Sequence, residues 1–92
     1  MAYMTTHLWP GATEEQYRTT LATVHPDGLP DGQVSHAAAI TDEGVLICAV
    51  WESKQDQDRF LAEVLMPSLP IEGGVSGQPQ ERSGEVINLE QS

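Results

Sequence analysis

The stretch QVSHAAAITDEGVLICAVWE, residues 33–52, decides the fold of this chain. It holds two runs of strand-forming composition, 33–41 and 45–52, and the Asp-Glu-Gly segment between them fits a short hairpin loop with glycine in the left-handed conformation. The second run contains six consecutive apolar residues, 45–50. A strand with one buried face alternates apolar and polar residues, so this run predicts a strand that is buried on both faces.

The flanking segments supply the other elements of the fold. Residues 2–9 favour a strand, and Pro10-Gly11 ends it. Thr13 and Gln16 form a capping-box pattern, which predicts a helix over 13–24 with Tyr17, Leu21 and Val24 on its apolar face. A stiff loop with two prolines is predicted over 25–32. A second helix begins after its cap at Ser53, and the Met66-Pro67 and Leu69-Pro70 pairs weaken or end it. A glycine-rich loop over 71–80 and a last strand over 81–89 complete the chain.

The predicted order β-α-β-β-α-β is typical of the ferredoxin-like α+β plait, a four-stranded antiparallel sheet with both helices on one face. The helices leave the other face uncovered, and an exposed apolar sheet face of that size is uncommon on a monomer. A second copy of the chain is the simplest cover, which predicts a homodimer that forms a dimeric α/β barrel. The alternative is a monomer with an alanine-rich outer face.

Composition limits the partners of the chain. Ninety-two residues predict one domain, residues 1–92. Four Lys and Arg against fourteen Asp and Glu give a net charge of −10, which argues against nucleic acid and anionic membrane surfaces as partners. The lone Cys48 cannot form an internal disulfide, and the chain shows neither a secretory signal nor an apolar run long enough for a membrane span. We therefore expect a soluble cytoplasmic protein.

His36 is the main candidate for a catalytic residue. It lies in the middle of a predicted strand, on the face shared by Val34, Ala38 and Ile40, where a polar ring needs a partner and where small neighbours leave room for a ligand. A neutral histidine in an apolar pocket can act as a general base or acid near neutral pH. The alternative is a structural histidine that is hydrogen-bonded across the sheet or at the dimer interface.

The candidate substrate-binding residues are aromatic or lie at the end of the first strand, and they are Tyr17, Trp51, Phe60, His7 and Trp9. The alternative for Tyr17, Trp51 and Phe60 is packing in the core or at the end of the sheet, and the alternative for His7 and Trp9 is a place at the surface. His25 precedes a proline in the loop and is expected to face water. The three histidines show no spacing typical of a metal site, so neither a metal nor a cofactor is predicted.

Five segments together resemble the small dimeric α/β-barrel proteins related to antibiotic-biosynthesis monooxygenases. They are the helix start Pro10-Gly11-x-Thr13-x-Glu15-Gln16-Tyr17, His36, Val50-Trp51-Glu52-Ser53, the Phe60–Leu65 helix followed by Pro67, and Asn88-Leu89. The resemblance covers most of the chain and implies the same fold. It also implies a range of activities, from cofactor-independent oxygenation of aromatic polyketides to isomerisation of the muconolactone type and haem degradation.

The sequence departs from the family in two respects, and both limit the activities that the resemblance implies. Haem-degrading members use a histidine on the second helix as an iron ligand, and residues 54–65 contain none. The quinone-forming members rely on Asn, Trp and Tyr in the pocket; Asn88, Trp51 and Tyr17 are residues of those types, but no residue-by-residue match assigns them those roles.

The sequence is compatible with two functions. The first is an enzyme, either a cofactor-independent monooxygenase or an isomerase or cyclase, that acts on an apolar or aromatic metabolite with His36 as the proton-transfer group. The second is a non-catalytic dimeric binding or stress-related module in which His36 is structural. A cavity with His36 on its wall favours the first, and a His36 saturated by protein hydrogen bonds favours the second.

Overall fold

A computed structural model describes residues 2–91 of the chain. The strands are β1 (Tyr3–Pro10), β2 (Gln33–Thr41), β3 (Gly44–Trp51) and β4 (Gln80–Glu85). The helices are α1 (Glu14–Val24), α2 (Lys54–Phe60) and α3 (Met66–Ser68), and a π-helical segment, Leu61–Leu65, joins the last two. All strand pairs are antiparallel and the sheet order is β2-β3-β1-β4. The predicted ferredoxin-like α+β plait is therefore confirmed.

The start of α1 confirms the predicted capping box. The Gln16 backbone N–H donates to the Thr13 hydroxyl over 3.2 Å, and the Thr13 N–H donates to the Gln16 side-chain oxygen over 3.0 Å. Two N–H groups that the helix leaves unpaired are satisfied in this way. The cap fixes the direction in which α1 leaves β1, and with it the position of Tyr17 over the sheet.

The helical run after β3 ends at the second of the two predicted proline pairs. It passes through Pro67 and ends at Ser68, where Leu69 turns extended. A proline inside a helix has no N–H to donate to the preceding turn. The π-helical segment Leu61–Leu65 lies shortly before Pro67, and its i→i+5 hydrogen bonds interrupt the α-helical pattern there. The sequence predicts that the Met66-Pro67 and Leu69-Pro70 pairs weaken or end this helix, and the run ends at Ser68, directly before the second pair.

The last strand is shorter than predicted. It spans Gln80–Glu85, whereas the apolar residues Val86, Ile87 and Leu89 had placed its end near residue 89. Its partner is β1, and Glu85 pairs with Tyr3, the first residue of β1. One further hydrogen bond joins the Val86 N–H to the Ala2 carbonyl. The strand ends where the paired part of β1 ends.

The two faces of the sheet differ in what covers them. Thr5, His7 and Trp9 of β1 face the helices, as do Ile47 and Ala49 of β3, since all five share a cavity with residues of α1. The alternate residues form the outer face, which we define as Met4, Thr6, Leu8, Ala37, Ala39, Leu46, Cys48 and Val50. On that face Met4 and Leu46 are each 40% exposed.

A β-bulge at the start of β2 changes which residues face the helices. Gln33 pairs with Trp51 and Ser35 with Val50, so Val34 is the extra residue. The sequence had placed Val34 on the face of His36. Because a bulge shifts the alternation by one residue, Gln33 and His36 both line the cavity instead, and Val34 does not.

Candidate functional site

A cavity of about 480 Å³ lies between the sheet and the helices. This size is typical of small-molecule sites. It is lined by β1, β2, β3, α1 and the helical run after β3, and the segment before β4 also borders it. That segment is held to α1 because the Val75 N–H donates to the buried Thr20 hydroxyl over 2.9 Å.

All six residues predicted for the site line this one cavity. They are His36, Tyr17, Trp51, Phe60, His7 and Trp9. Trp51 and Trp9 are buried, at 3% and 8% exposure. His7 lies beside β4, where its Nε2 is 3.0 Å from the Glu81 carboxylate. Hydrogen bonds from Ser83 and, to a smaller extent, from His7 lower the pKa of Glu81 below its usual value.

His36 is positioned by a hydrogen bond to the first helix. The Tyr17 hydroxyl and His36 Nε2 are 2.7 Å apart. His36 pairs with Ala49 on β3, and this small neighbour leaves the space beside the ring open. Its other ring nitrogen, Nδ1, is buried and has no partner among the described residues. The ring is therefore held at one nitrogen and is not saturated by protein hydrogen bonds.

Both members of this pair are uncharged at neutral pH. Burial lowers the pKa of His36 below 6.5, and burial raises the pKa of Tyr17 above 10. A neutral imidazole next to a protonated phenol is in the form that accepts a proton. A base at this position requires the tautomer in which the Nε2–H donates to the Tyr17 oxygen, because the lone pair of Nδ1 is then free to accept a proton.

His25 was expected to face water and instead lines the cavity. Its ring meets the His36 ring edge-on, with 4.9 Å between centroids, and lies 5.8 Å from the Phe60 ring. Phe60 in turn packs against Trp51 at 5.3 Å. His25 is the C-cap residue of α1, where its backbone N–H donates to the Leu21 carbonyl. The result is a continuous aromatic wall from Tyr17 through His36, His25 and Phe60 to Trp51.

Burial of the two histidines predicts a pH-dependent stability. Burial lowers the pKa of His25, the neighbouring His36 lowers it further, and burial lowers that of His36. Below pH 6.5 the unfolded chain therefore binds more protons than the folded chain. The free energy of unfolding consequently decreases as the pH is lowered through this range. Urea unfolding at several pH values between 6.5 and 4.5 measures this slope, and His25→Phe should reduce it. A slope that is the same in the variant and the wild type would contradict the assignment to His25.

Two further residues line the cavity although the sequence pattern does not indicate that they belong to the site. Gln33 and Gln57 are buried and line the cavity, and polar residues of this type are mostly exposed in proteins. Gln33 was placed at a strand end, and Gln57 lies on the polar side of the predicted helix pattern. Among residues 2–91 there is no group of three or more His, Cys, Asp or Glu side chains that could share a metal ion. None of the helices described within that range is long and apolar enough to cross a membrane.

The fold is shared with solved structures over nearly the whole chain. One, from Chloroflexus aurantiacus J-10-fl, is provisionally named an antibiotic biosynthesis monooxygenase; it superposes with a TM-score of 0.71 and 15% identity, over 99% of this chain and 98% of that one. Another is Rv0793 from Mycobacterium tuberculosis, with a TM-score of 0.60 and 13% identity, over 99% of this chain and 97% of that one. The chain thus has the fold of antibiotic biosynthesis monooxygenase-like proteins, which confirms the resemblance at the level of the fold.

No protein-family model matches the sequence, and no curated protein matches it either. At 13–15% identity the structural neighbours define a shared fold. The chemistry of this chain has to be argued from its own cavity.

Proposed function

We propose that this protein is a homodimeric, cofactor-independent enzyme of the monooxygenase type that acts on an apolar or aromatic metabolite. In this proposal the substrate occupies the cavity between sheet and helices, and His36 is the catalytic residue that accepts and returns a proton. The observation that carries the proposal is the hydrogen bond of 2.7 Å between a neutral His36 and Tyr17 at the cavity wall. Tyr17, Trp51, Phe60, His7 and Trp9 are proposed to bind the substrate.

The proposed reaction needs no electron donor besides the substrate. His36 removes a proton from an acidic ring methylene, and the substrate anion transfers electrons to molecular oxygen to form a peroxide. The protonated His36 returns the proton to the peroxide, which then loses water. The methylene becomes a carbonyl, one oxygen atom enters the product and the other leaves as water. In the absence of oxygen the same proton transfer would only isomerise the substrate.

A pocket of this kind supports such chemistry because it excludes water from the substrate anion. The aromatic wall offers ring faces and edges for a flat molecule to pack against, and aromatic pairs of this sort contribute about 0.5–1.5 kcal/mol beyond the area that they bury. Ala49, the cross-strand neighbour of His36, lines the same cavity with a small side chain.

The homodimer is proposed from the outer face. Leu46 and Met4 are exposed there, and Ala37 and Ala39 are exposed beside them. This apolar face lies opposite the helices, and a two-fold copy of the same sheet covers it without any further element. The free thiol of Cys48 on this face and the net charge of −10 are compatible with a cytoplasmic protein that binds neither nucleic acid nor membrane.

The proposal is tested with compounds that carry an acidic ring methylene. Anthrone is a suitable first member of the panel, because its oxidation to anthraquinone follows the balance given above. Oxygen uptake and product mass are measured with and without protein, in air and under nitrogen. We expect protein-dependent formation of the quinone in air only. Protein-dependent isomerisation in air, without oxygen uptake and without quinone, would assign the chain to the isomerase or cyclase class instead. A protein that converts no member of the panel would behave as a binding module, and the proposal would be wrong.

A further inference from the structure

Two glutamines form a polar end of the otherwise apolar cavity. Gln33 is 9% exposed and Gln57 is 4% exposed, and both line the cavity. The side-chain oxygen Oε1 of each is buried and has no hydrogen-bond partner among the described residues. A buried acceptor without a partner costs free energy, so it is usually found paired. Two such acceptors in one cavity wall point to a ligand that pairs with them.

The backbone holds these two glutamines at the same end of the cavity. Gly32, which precedes Gln33, lies against the side chain of Asp56, which precedes Gln57; a Cβ atom at Gly32 would come within 2.8 Å of three Asp56 atoms. The Gly32 carbonyl also accepts from the Glu52 N–H over 2.8 Å. The bulge turns Gln33 of β2 toward the cavity, and the contact at Gly32 holds β2 next to α2, which carries Gln57. Both side-chain amides are therefore positioned by regular secondary structure.

The charges around the cavity exclude an anionic ligand. Among the described residues that line it there is no lysine and no arginine. Its one acidic residue, Glu81, is paired with His7. Since the whole chain carries a net charge of −10, a carboxylate or phosphate on the ligand would meet repulsion and no counter-charge.

We propose that Gln33 and Gln57 determine the specificity of the cavity for an uncharged ring compound that carries a hydrogen-bond donor, a hydroxyl or N–H group. The donor pairs with the buried amide oxygens, while the ring packs against the aromatic wall. This inference rests on the proposed function only in placing the ligand in the same cavity. It concerns binding, and it does not require His36 to act as a base.

Three naphthalene derivatives of similar size test the proposal. 2-Naphthol has a donor, 2-methoxynaphthalene keeps the ring and the oxygen but has no donor, and 2-naphthoate is an anion. Dissociation constants are measured at neutral pH by protein NMR, with the side-chain amide signals of Gln33 and Gln57 as local probes. We expect 2-naphthol to bind about five- to tenfold more tightly than 2-methoxynaphthalene, the factor that one net hydrogen bond supplies. The naphthoate should bind most weakly.

Matched variants identify the residues that are responsible. Gln33→Met and Gln57→Met keep the length of the side chain and remove its hydrogen-bonding atoms. Each should reduce the preference for 2-naphthol over 2-methoxynaphthalene and leave the affinity for 2-methoxynaphthalene within about twofold of the wild type. Equal affinities of the two neutral probes for the wild type, a preference for the anion, or no binding of any probe would overturn the proposal without any variant.

The experiment separates this proposal from the proposed function. A donor preference that depends on the glutamines, in a protein without turnover, would support the specificity proposal and contradict the enzymatic one. Turnover that depends on His36, in a protein without donor preference, would give the opposite result.

Discussion

Replacing His36 by alanine should slow turnover of a ring-methylene substrate by about 10²- to 10⁴-fold, the range that a positioned acid-base group contributes. The effect should fall on kcat, because the ring acts on the proton and contributes little to the contact area of the substrate. His36→Asn is the matched variant, since it keeps a polar side chain but cannot accept a proton at neutral pH. Oxygen uptake measured over a range of substrate concentrations separates kcat from KM.

Rescue by added imidazole distinguishes chemistry from structure. The alanine variant enlarges the cavity beside Ala49, and free imidazole can occupy that space and accept the proton. We expect imidazole to restore part of the lost rate in His36→Ala and to leave the wild-type rate unchanged. A variant that keeps at least half of the wild-type kcat would contradict the assignment of His36 as the catalytic residue.

Introducing a charge on the outer face should dissociate the proposed dimer. Leu46 is 40% exposed in the single chain, so aspartate at this position is compatible with the folded protomer. In a two-fold interface the substitution occurs twice, and each buried, unpaired carboxylate costs about 3–5 kcal/mol. The dimer should therefore weaken by at least a thousandfold, roughly the effect of 4 kcal/mol. Light scattering at micromolar concentration should give twice 10.0 kDa for the wild type and 10.0 kDa for Leu46→Asp.

Leu29→Asp is the control for this prediction. Leu29 is 50% exposed and lies in the loop between α1 and β2, outside the strands that form the outer face. It undergoes the same chemical change, so it reports any general effect of an added charge. A wild-type protein that is monomeric under these conditions would overturn the dimer, and so would a Leu46→Asp variant that keeps the wild-type mass.

The sequence predicts most of the fold because the local signals agree with the tertiary structure. The hairpin of β2 and β3 follows from the glycine at position 44, which adopts a positive φ of 140° in close approach to the Trp9 carbonyl. The start of α1 follows from the capping box. The error in the element boundaries lies at the end of β4. That end depends on the length of the paired part of β1, which the local sequence pattern of β4 does not record.

The candidate site was predicted less completely. The six predicted residues share one cavity because residues of equal parity on neighbouring strands face the same side, and His7, Trp9 and Trp51 obey this rule. This alternation does not predict the position of Gln33, because the bulge at Val34 shifts it by one residue and the local sequence does not indicate a bulge. The alternation does not apply to His25, because it lies in a loop and the direction of a loop side chain does not follow from sequence periodicity. Its position follows only from the contacts with His36 and Phe60.

The most direct test of the account is a pH titration of the His36 ring by NMR, without and with an aromatic ligand such as anthrone. The central claim is that His36 is a neutral base on the wall of a cavity that a ligand can enter. It predicts a titration midpoint below 6.5 for His36 and a change in its ring signals when the ligand binds. A midpoint at or above 6.5, or ring signals that stay unchanged at saturating ligand, would contradict it.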